Sequence, residues 1–449
     1  KGGCEILDYG NNVCPSGHKH IEDKMKISII GFGRSGRSAA KLAEALGYEV
    51  FVSERANISL PYPGESGGHT ERILDGEIVV VSPGVPDFPL LEEARKMGKE
   101  VIDELEFAYR YMRGKVIAVT GTNGKTTTCG MIHEILKVAG TRCFLAGNIY
   151  PGVPLSEVAL KTDTRTITVV EVSSFQLERI SMFRPDVGIV MNISPDHMDR
   201  YNNFQEYAEA KKRLFLNHTG EDIAILNLDD PVLSSWDIPS QRLFFSRSKD
   251  ADIYMNGDCA RLKSGECVFK KDDIKLIGDF FVEDGMAAAL GTISLGLNPE
   301  FVKKGLSRFK GIPHRMEIVK TNPLIVNNSM CTNPVAFRSS ISSMKDALVF
   351  MGGRLKNLDP EELAKAAMEN AGFVILFGES RNRLAEILEK HGYKDFYVAE
   401  TLEDGVKKAR EMGAESILFS PGGSSLDMFK NFAERGEAFK RLVKEYFNG

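Results

Sequence analysis

Short apolar runs alternate with amphipathic stretches along most of the chain, and that alternation sets the fold expectation. From Met25, the run Ile27–Ile30 leads into a helical pattern over Ser38–Leu46, and strand patterns follow at Val50–Ser53 and Ile78–Val81, closed by a turn at Ser82-Pro83-Gly84. Alternating strands and helices of this kind build a parallel sheet covered by helices. A second unit opens at Lys115, where the buried-strand pattern Val116–Val119 meets a glycine-rich turn and a helix from Thr126, with further strands at Ile167–Val172 and Val187–Met191. A third follows Gly311-Ile312-Pro313, with strands at Leu324–Val326, Ala347–Met351, Val374–Phe377 and Ser416–Phe419 and an amphipathic helix over Met428–Tyr446. The expectation is an α/β protein with an N-terminal extension over 1–24 and domains over 25–113, 114–311 and 312–449. A chain of 449 residues is long enough for two to four cores.

Charge and composition remove several partners. A net charge of −5 leaves no basic surface for nucleic acid or an anionic membrane. No apolar run approaches the roughly 18 residues of a membrane span, and Lys1-Gly2-Gly3-Cys4 lacks the apolar core of a signal peptide. A cytoplasmic monomer is expected. Seven scattered cysteines without a CxxC pair read as reduced thiols. Cys4, Cys14, His18 and His20 form one local cluster, which is either a zinc-binding arm or an extension without ligand.

Two loops carry candidate chemistry. Gly31, Gly33 and Gly36, with Arg34 and Ser35 between them, follow a strand, open a helix and precede a second strand ending near Glu54. This is the dinucleotide-binding pattern, and alone it suits NAD in an oxidoreductase, another nucleotide diphosphate, or tight strand-to-helix packing. Gly121, Thr122, Asn123, Gly124, Lys125, Thr126 and Thr127 form a phosphate-cradling loop between strand and helix, in which Lys125 reaches terminal phosphates and the Thr126 hydroxyl suits Mg²⁺. Val119 stands where the full pattern has its first glycine. ATP is the better supported nucleotide, and an oxidoreductase would leave this loop without a task.

The loop Gly121–Thr127, then Glu171–Gln176, Asn192–Tyr201 and Pro313–Glu317, in that order, resemble the signature of the Mur ligase family. The Ser420–Phe432 segment strengthens the likeness to the branch that adds D-glutamate. The resemblance runs over nearly the whole chain from Met25. It implies a Rossmann-like UDP-binding domain, a central P-loop ATPase-type domain and a C-terminal Rossmann-like domain. The activity implied is joining an amino acid to a UDP-linked cell-wall precursor through an acyl phosphate, with ATP and Mg²⁺. By the same likeness, Thr126 and Glu171 serve one Mg²⁺, while His197 and a carbamylated Lys211 serve a second. Arg315, Asp284 and Asn328 then face ATP, and Ser53, Glu54, Arg55, Ser82, Gly84 and Asn148 join the Gly31 loop around the UDP-linked substrate. Met330, Thr332, Lys356, Ser425 and Phe432 fall at amino-acid-binding positions.

Departures from the pattern concentrate on ligand selection. Asn328 replaces the family's aspartate, Met330 its lysine, and Gly278–Asp284 keeps neither the histidine nor the asparagines of the usual run. The archaeal pseudomurein peptide ligases of the same scaffold accommodate these changes, with a different UDP-peptide and amino acid.

Overall fold

A computed structural model describes residues 24–447 other than His197, Asp199, Lys249, Lys356 and Asn357. The Cys4, Cys14, His18 and His20 cluster and the expectations for His197 and Lys356 lie outside the described residues. Among the described residues, no helix is long and apolar enough to cross a membrane.

The strands form three sheets. The first holds five parallel strands in the order Gly64–Ser66, Glu49–Glu54, Lys26–Ile30, Ile78–Val81 and Glu100–Asp103. The second places Cys143–Gly147, Ile167–Glu171, Lys115–Thr120, Val187–Val190, Ile223–Asn227, Gln241–Ser246 and Ile253–Asn256 side by side in parallel, and the antiparallel strands Cys259–Leu262 and Cys267–Lys270 extend its edge. The third carries Glu317–Thr321 antiparallel to Leu324–Asn327, then Ser416–Gly422, Leu348–Gly352, Phe373–Phe377 and Phe396–Val398 in parallel. Their central strands are nearly continuous apolar runs because helices cover both faces.

Two contacts between sheets position the site. The helix Lys125–Val138 packs on Phe281–Ile293 and Pro299–Arg308, and the same core takes in Phe309, Ile312 and Met316 at the entry to the third sheet. On the other side the fully buried Glu106, from helix Glu104–Tyr109, accepts from the backbone N–H groups of Ser181, Met182 and Phe183, each at 2.9 Å. Three amides on one carboxylate make a strong, water-excluded tie between first and second sheets.

Two sequence expectations change. Cys259 and Cys267 are not free thiols: the antiparallel pairing brings their Cα atoms to 6.0 Å and they form a disulfide, whereas Cys129, Cys143 and Cys331 are free. The terminal helix runs over Phe432–Phe447 rather than from Met428. Asn431 Oδ1 accepts from Glu434 N at 2.9 Å and caps it, while Met428 N and Phe429 N are spent on the Ser425 carbonyl in a preceding turn.

Candidate active site

The strand Lys115–Thr120 lies between Ile167–Glu171 and Val187–Val190. Neighbouring connections therefore leave in opposite directions and open a crevice at its carboxyl end, the usual ligand position in such sheets. The phosphate loop turns here into the helix Lys125–Val138. Gly124 has φ 88°, and a Cβ on it would stand 2.6 Å from Asp284 Oδ1, so a side chain at this position is excluded twice. Asn192 braces the loop, its carbonyl accepting from Thr122 N and its Oδ1 from Asn123 N, both at 2.9 Å.

Charges converge on this loop. Lys125 Nζ donates to the carbonyls of Gly121 and Thr122 at 2.8 Å each, and Lys211 Nζ donates to the same Gly121 carbonyl at 3.0 Å. Lys211 is buried and lies 4.7 Å from the Tyr207 ring centroid, while Lys212, one position on, is half-buried toward Trp236. Burial, with Lys125 adding repulsion, holds the Lys211 amine well below the usual lysine range; burial also lowers Lys125, against the pull of Glu171. Glu171 ends its strand buried, hydrogen-bonded by the Thr126 side chain, with its carboxyl raised by burial against Lys125. Its Oε2 and the Thr127 hydroxyl are buried without a hydrogen-bond partner. These hard oxygen donors fit Mg²⁺.

A cavity of about 490 Å³ extends from the loop, lined by Asn123, Gly124, Asp284, Arg315, Asn328 and Met330 among others. Arg315, just ahead of the strand Glu317–Thr321, thus shares the cavity with the phosphate loop. Asn328 is held as a bridge, Oδ1 accepting from Met316 N and Nδ2 donating to Ser420 Oγ, both at 3.2 Å. Asn192, Asn227, Arg247 and Phe280 also line the cavity. None was singled out from sequence as a site residue, although Asn192 heads the Asn192–Tyr201 segment.

Asp284 is the cavity's titratable wall. Its Oδ1 accepts from Thr128 Oγ1 at 3.3 Å, its Oδ2 has no partner, and burial outweighs Arg315 to push the carboxyl up to about 7. Because the ordinary value is 3.8, the folded chain binds more protons than the unfolded one between these values, and stability falls as pH rises through that window. Asp284→Asn removes the penalty. Without nucleotide, the variant is expected to exceed the wild type by ~2–4 kcal/mol at pH 8 and by little at pH 4. Urea midpoints across this range check it; a pH-independent difference counts against the assignment.

A second cavity joins all three sheets, lined by Arg34, Ser35, Asn148, Tyr150, Gln176 and Phe432 among others. Arg34 Nη1 donates to Ile149 O at 3.2 Å, and Tyr150 packs edge-on to Phe432 with ring centroids 5.6 Å apart. Sequence reasoning brought Arg34, Ser35, Asn148 and Phe432 to substrate contacts but missed Tyr150, which follows Asn148 by two residues. In the first sheet, Gly36 is a packing glycine, since a Cβ there would stand 1.9 Å from Gly31 O, whereas Gly33 faces open space. Glu54 accepts from Phe32 N at 2.5 Å and Ala56 N at 2.8 Å. A dinucleotide site needs that acid for a ribose, so this closure argues against the oxidoreductase reading. Ser53 is buried on Glu65 and His69, Ser82 Oγ donates to Gly31 O at 3.0 Å, and Arg55 and Gly84 are exposed. Met330 lines the first cavity and Phe432 the second, while Ser425 is buried and Thr332 exposed.

The family description "Mur ligase middle domain" matches residues 119–291. The UDP-N-acetylmuramoylalanine–D-glutamate ligase of Alkaliphilus oremlandii is 36% identical over 93% of this chain and 97% of its own, and that of Aquifex aeolicus is 37% identical over 94% and 99%. Among solved structures, the UDP-N-acetylmuramate–alanine ligase of Thermotoga maritima superposes with a TM-score of 0.63 at 21% identity, covering 94% of this chain and 99% of its own. A pseudomurein peptide ligase type C of Methanothermus fervidus gives 0.61 at 19%, covering 94% and 100%. With relatives this similar along nearly their full lengths and the phosphate loop inside the matched segment, the chain belongs to the Mur ligase family.

Proposed function

We propose that this ATP-dependent ligase joins the amine of D-glutamate to the terminal carboxylate of a UDP-linked N-acetylmuramoyl-alanine, releasing ADP and phosphate, and that it does so as a monomer. The observation that carries this reading is the double role of Glu171. Its backbone carbonyl accepts from Asn148 N at 2.9 Å in the second cavity, while its carboxylate meets Thr126 and Lys125 at the phosphate loop. An acceptor seated against Asn148 therefore presents its carboxylate to the phosphate end of the first cavity. The full-length relatives that carry the D-glutamate name support the choice of amino acid.

In this reading the acceptor carboxylate attacks the terminal phosphorus and ADP leaves. The amine then attacks the acyl carbon of the acyl phosphate, and phosphate is expelled with its bonding electrons. Both steps gather negative charge, which preorganised cations stabilise best where water is excluded. Lys125 and Arg315 supply two of them, and the loop amides braced by Asn192 orient the phosphates. Mg²⁺ would be held by Thr126 and Glu171 and would supply charge neutralisation to the phosphates, and the family resemblance assigns His197 and Lys211 to a second ion. Arg34, Ser35 and the open face at Gly33 suit the diphosphate of the UDP moiety.

The test is a phosphate-release assay with UDP-N-acetylmuramoyl-L-alanine, ATP and a panel of amino acids, with products weighed by mass spectrometry. D-Glutamate is expected to drive release and add its residue mass. Ligation of a different amino acid in preference to it would sink the assignment.

A further inference from the structure

Arg435, in the first turn of the terminal helix Phe432–Phe447, is fully buried. Its Nε donates to Ser329 Oγ at 3.1 Å, its Nη2 to Ser329 O at 2.8 Å and its Nη1 to Gly423 O at 3.0 Å. All three acceptors are neutral, and no carboxylate among the described residues forms an ion pair with it. Asp427 acts on it only through space, with its Oδ2 accepting from Glu379 N at 2.9 Å. Burial lowers the guanidinium to about 10, which leaves it cationic at neutral pH. A buried charge surrounded only by carbonyl and hydroxyl dipoles is costly, and it leaves a positive field that a nearby anion gains from.

The position gives that field a target. Ser329 stands between Asn328 and Met330 of the first cavity, and its Oγ donates to Phe432 O at 2.7 Å, the residue that lines the second. Gly423 leads to the buried Ser425. A Cβ on Gly353 would come within 3.1 Å of Arg435 Nη1, so a third segment closes on the same guanidinium. Arg435 therefore sits behind the segment that carries Asn328 and Met330 of the first cavity, and Ser329 ties that segment to Phe432 of the second.

We propose that Arg435 is a positioning and specificity residue for the incoming amino acid. It holds the Ser329 and Gly423 segments against Phe432, and its unneutralised charge favours an amino acid bearing a second carboxylate. This rests on reading the region around Phe432 and Ser425 as the amino-acid side of the site. Met330, an apolar side chain in the neighbouring wall, contributes no charge of its own.

Steady-state kinetics of Arg435→Gln and Arg435→Lys, with thermal unfolding of each, test the proposal. Arg435→Gln keeps hydrogen-bonding capacity and removes the charge; its KM for D-glutamate is expected to rise about tenfold or more while KM for ATP stays within about twofold. Arg435→Lys keeps the charge but not the three-way fork, and its KM for D-glutamate is expected to rise clearly less than that of Arg435→Gln. Equal losses in both variants, or KM for ATP rising together with KM for the amino acid, would mean a structural clamp only and overturn the proposal. Should both variants unfold, Asp427→Asn decides: removing the one opposing charge is expected to lower KM for D-glutamate severalfold, and an unchanged or higher value overturns the idea. A wild type that couples a neutral amino acid overturns both this inference and the D-glutamate reading. One that couples a different acidic amino acid removes only the latter, and the same variants are then compared with that substrate.

Discussion

Lys125→Ala is expected to lower ATP-dependent phosphate release at least about a thousandfold, a loss of about 4 kcal/mol of transition-state stabilisation. The ammonium is parked on the Gly121 and Thr122 carbonyls, at the mouth of the loop, with Glu171 and Arg315 acting on it through space. Nothing else in the loop can move a positive charge onto a terminal phosphate. Circular dichroism of the variant should match the wild type, because Lys125 opens its helix half-buried and packs no core. Glu171→Ala should fail in the same way for the opposite reason, by leaving Thr126 without its carboxylate partner. Turnover near the wild-type rate in either variant would remove the phosphate loop from the mechanism.

Lys211→Ala is expected to be inactive to within about a hundredth of the wild-type rate and to recover part of its activity with formate or acetate in the buffer. The physical case is the depressed amine. Burial and the neighbouring Lys125 hold its pKa well below the usual lysine range, which favours the uncharged nitrogen that adds to carbon dioxide, forming an N–C bond, releasing a proton and leaving an anionic carbamate. A short carboxylate replaces those oxygens in the space the truncated side chain vacates. Lys212→Ala should stay within about twofold of the wild type, since its side chain turns toward Trp236. A carbonyl carbon resonance from labelled bicarbonate, present in the wild type and absent from Lys211→Ala, gives an independent reading. Equal behaviour of the two alanine variants, or no rescue by either acid, would defeat the carbamate.

Local order is legible in the amino-acid pattern itself. The run Ile78–Val81 is a strand with those very bounds, Val116–Val119 and Val374–Phe377 lie inside observed strands, and the phosphate loop joins strand to helix where its glycines require. Such features depend on neighbours a few residues apart, on apolar periodicity, left-handed glycine and turn chemistry, and a sequence displays them directly. The chemistry of Lys125 is legible for the same reason, since it belongs to a contiguous phosphate loop, whereas the role of Glu171 came from the family resemblance.

What the sequence could not decide depends on groups far apart along the chain. Glu54 closes on Phe32 N across 22 residues, Glu106 receives three amides about 75 residues away, and Arg435 reaches Ser329 across 106. The disulfide Cys259–Cys267 needs the register of a hairpin, and Met330 stands in the first cavity and Phe432 in the second because of how loops of the third sheet pack. The family likeness brings Asp284 to ATP, but nothing in the sequence marks its charge state. Only burial beside Gly124 and Thr128 raises it to about 7, because desolvation acts through the whole surrounding volume and a residue's neighbours in sequence say little about that volume. Strands and phosphate loop thus follow from local pattern, and the reaction class from the resemblance that the ordered motifs carry. The pairing of cavities, the protonation of their walls and the uncompensated charge behind them follow from tertiary packing, which alone sets distance and dielectric between groups remote in the chain.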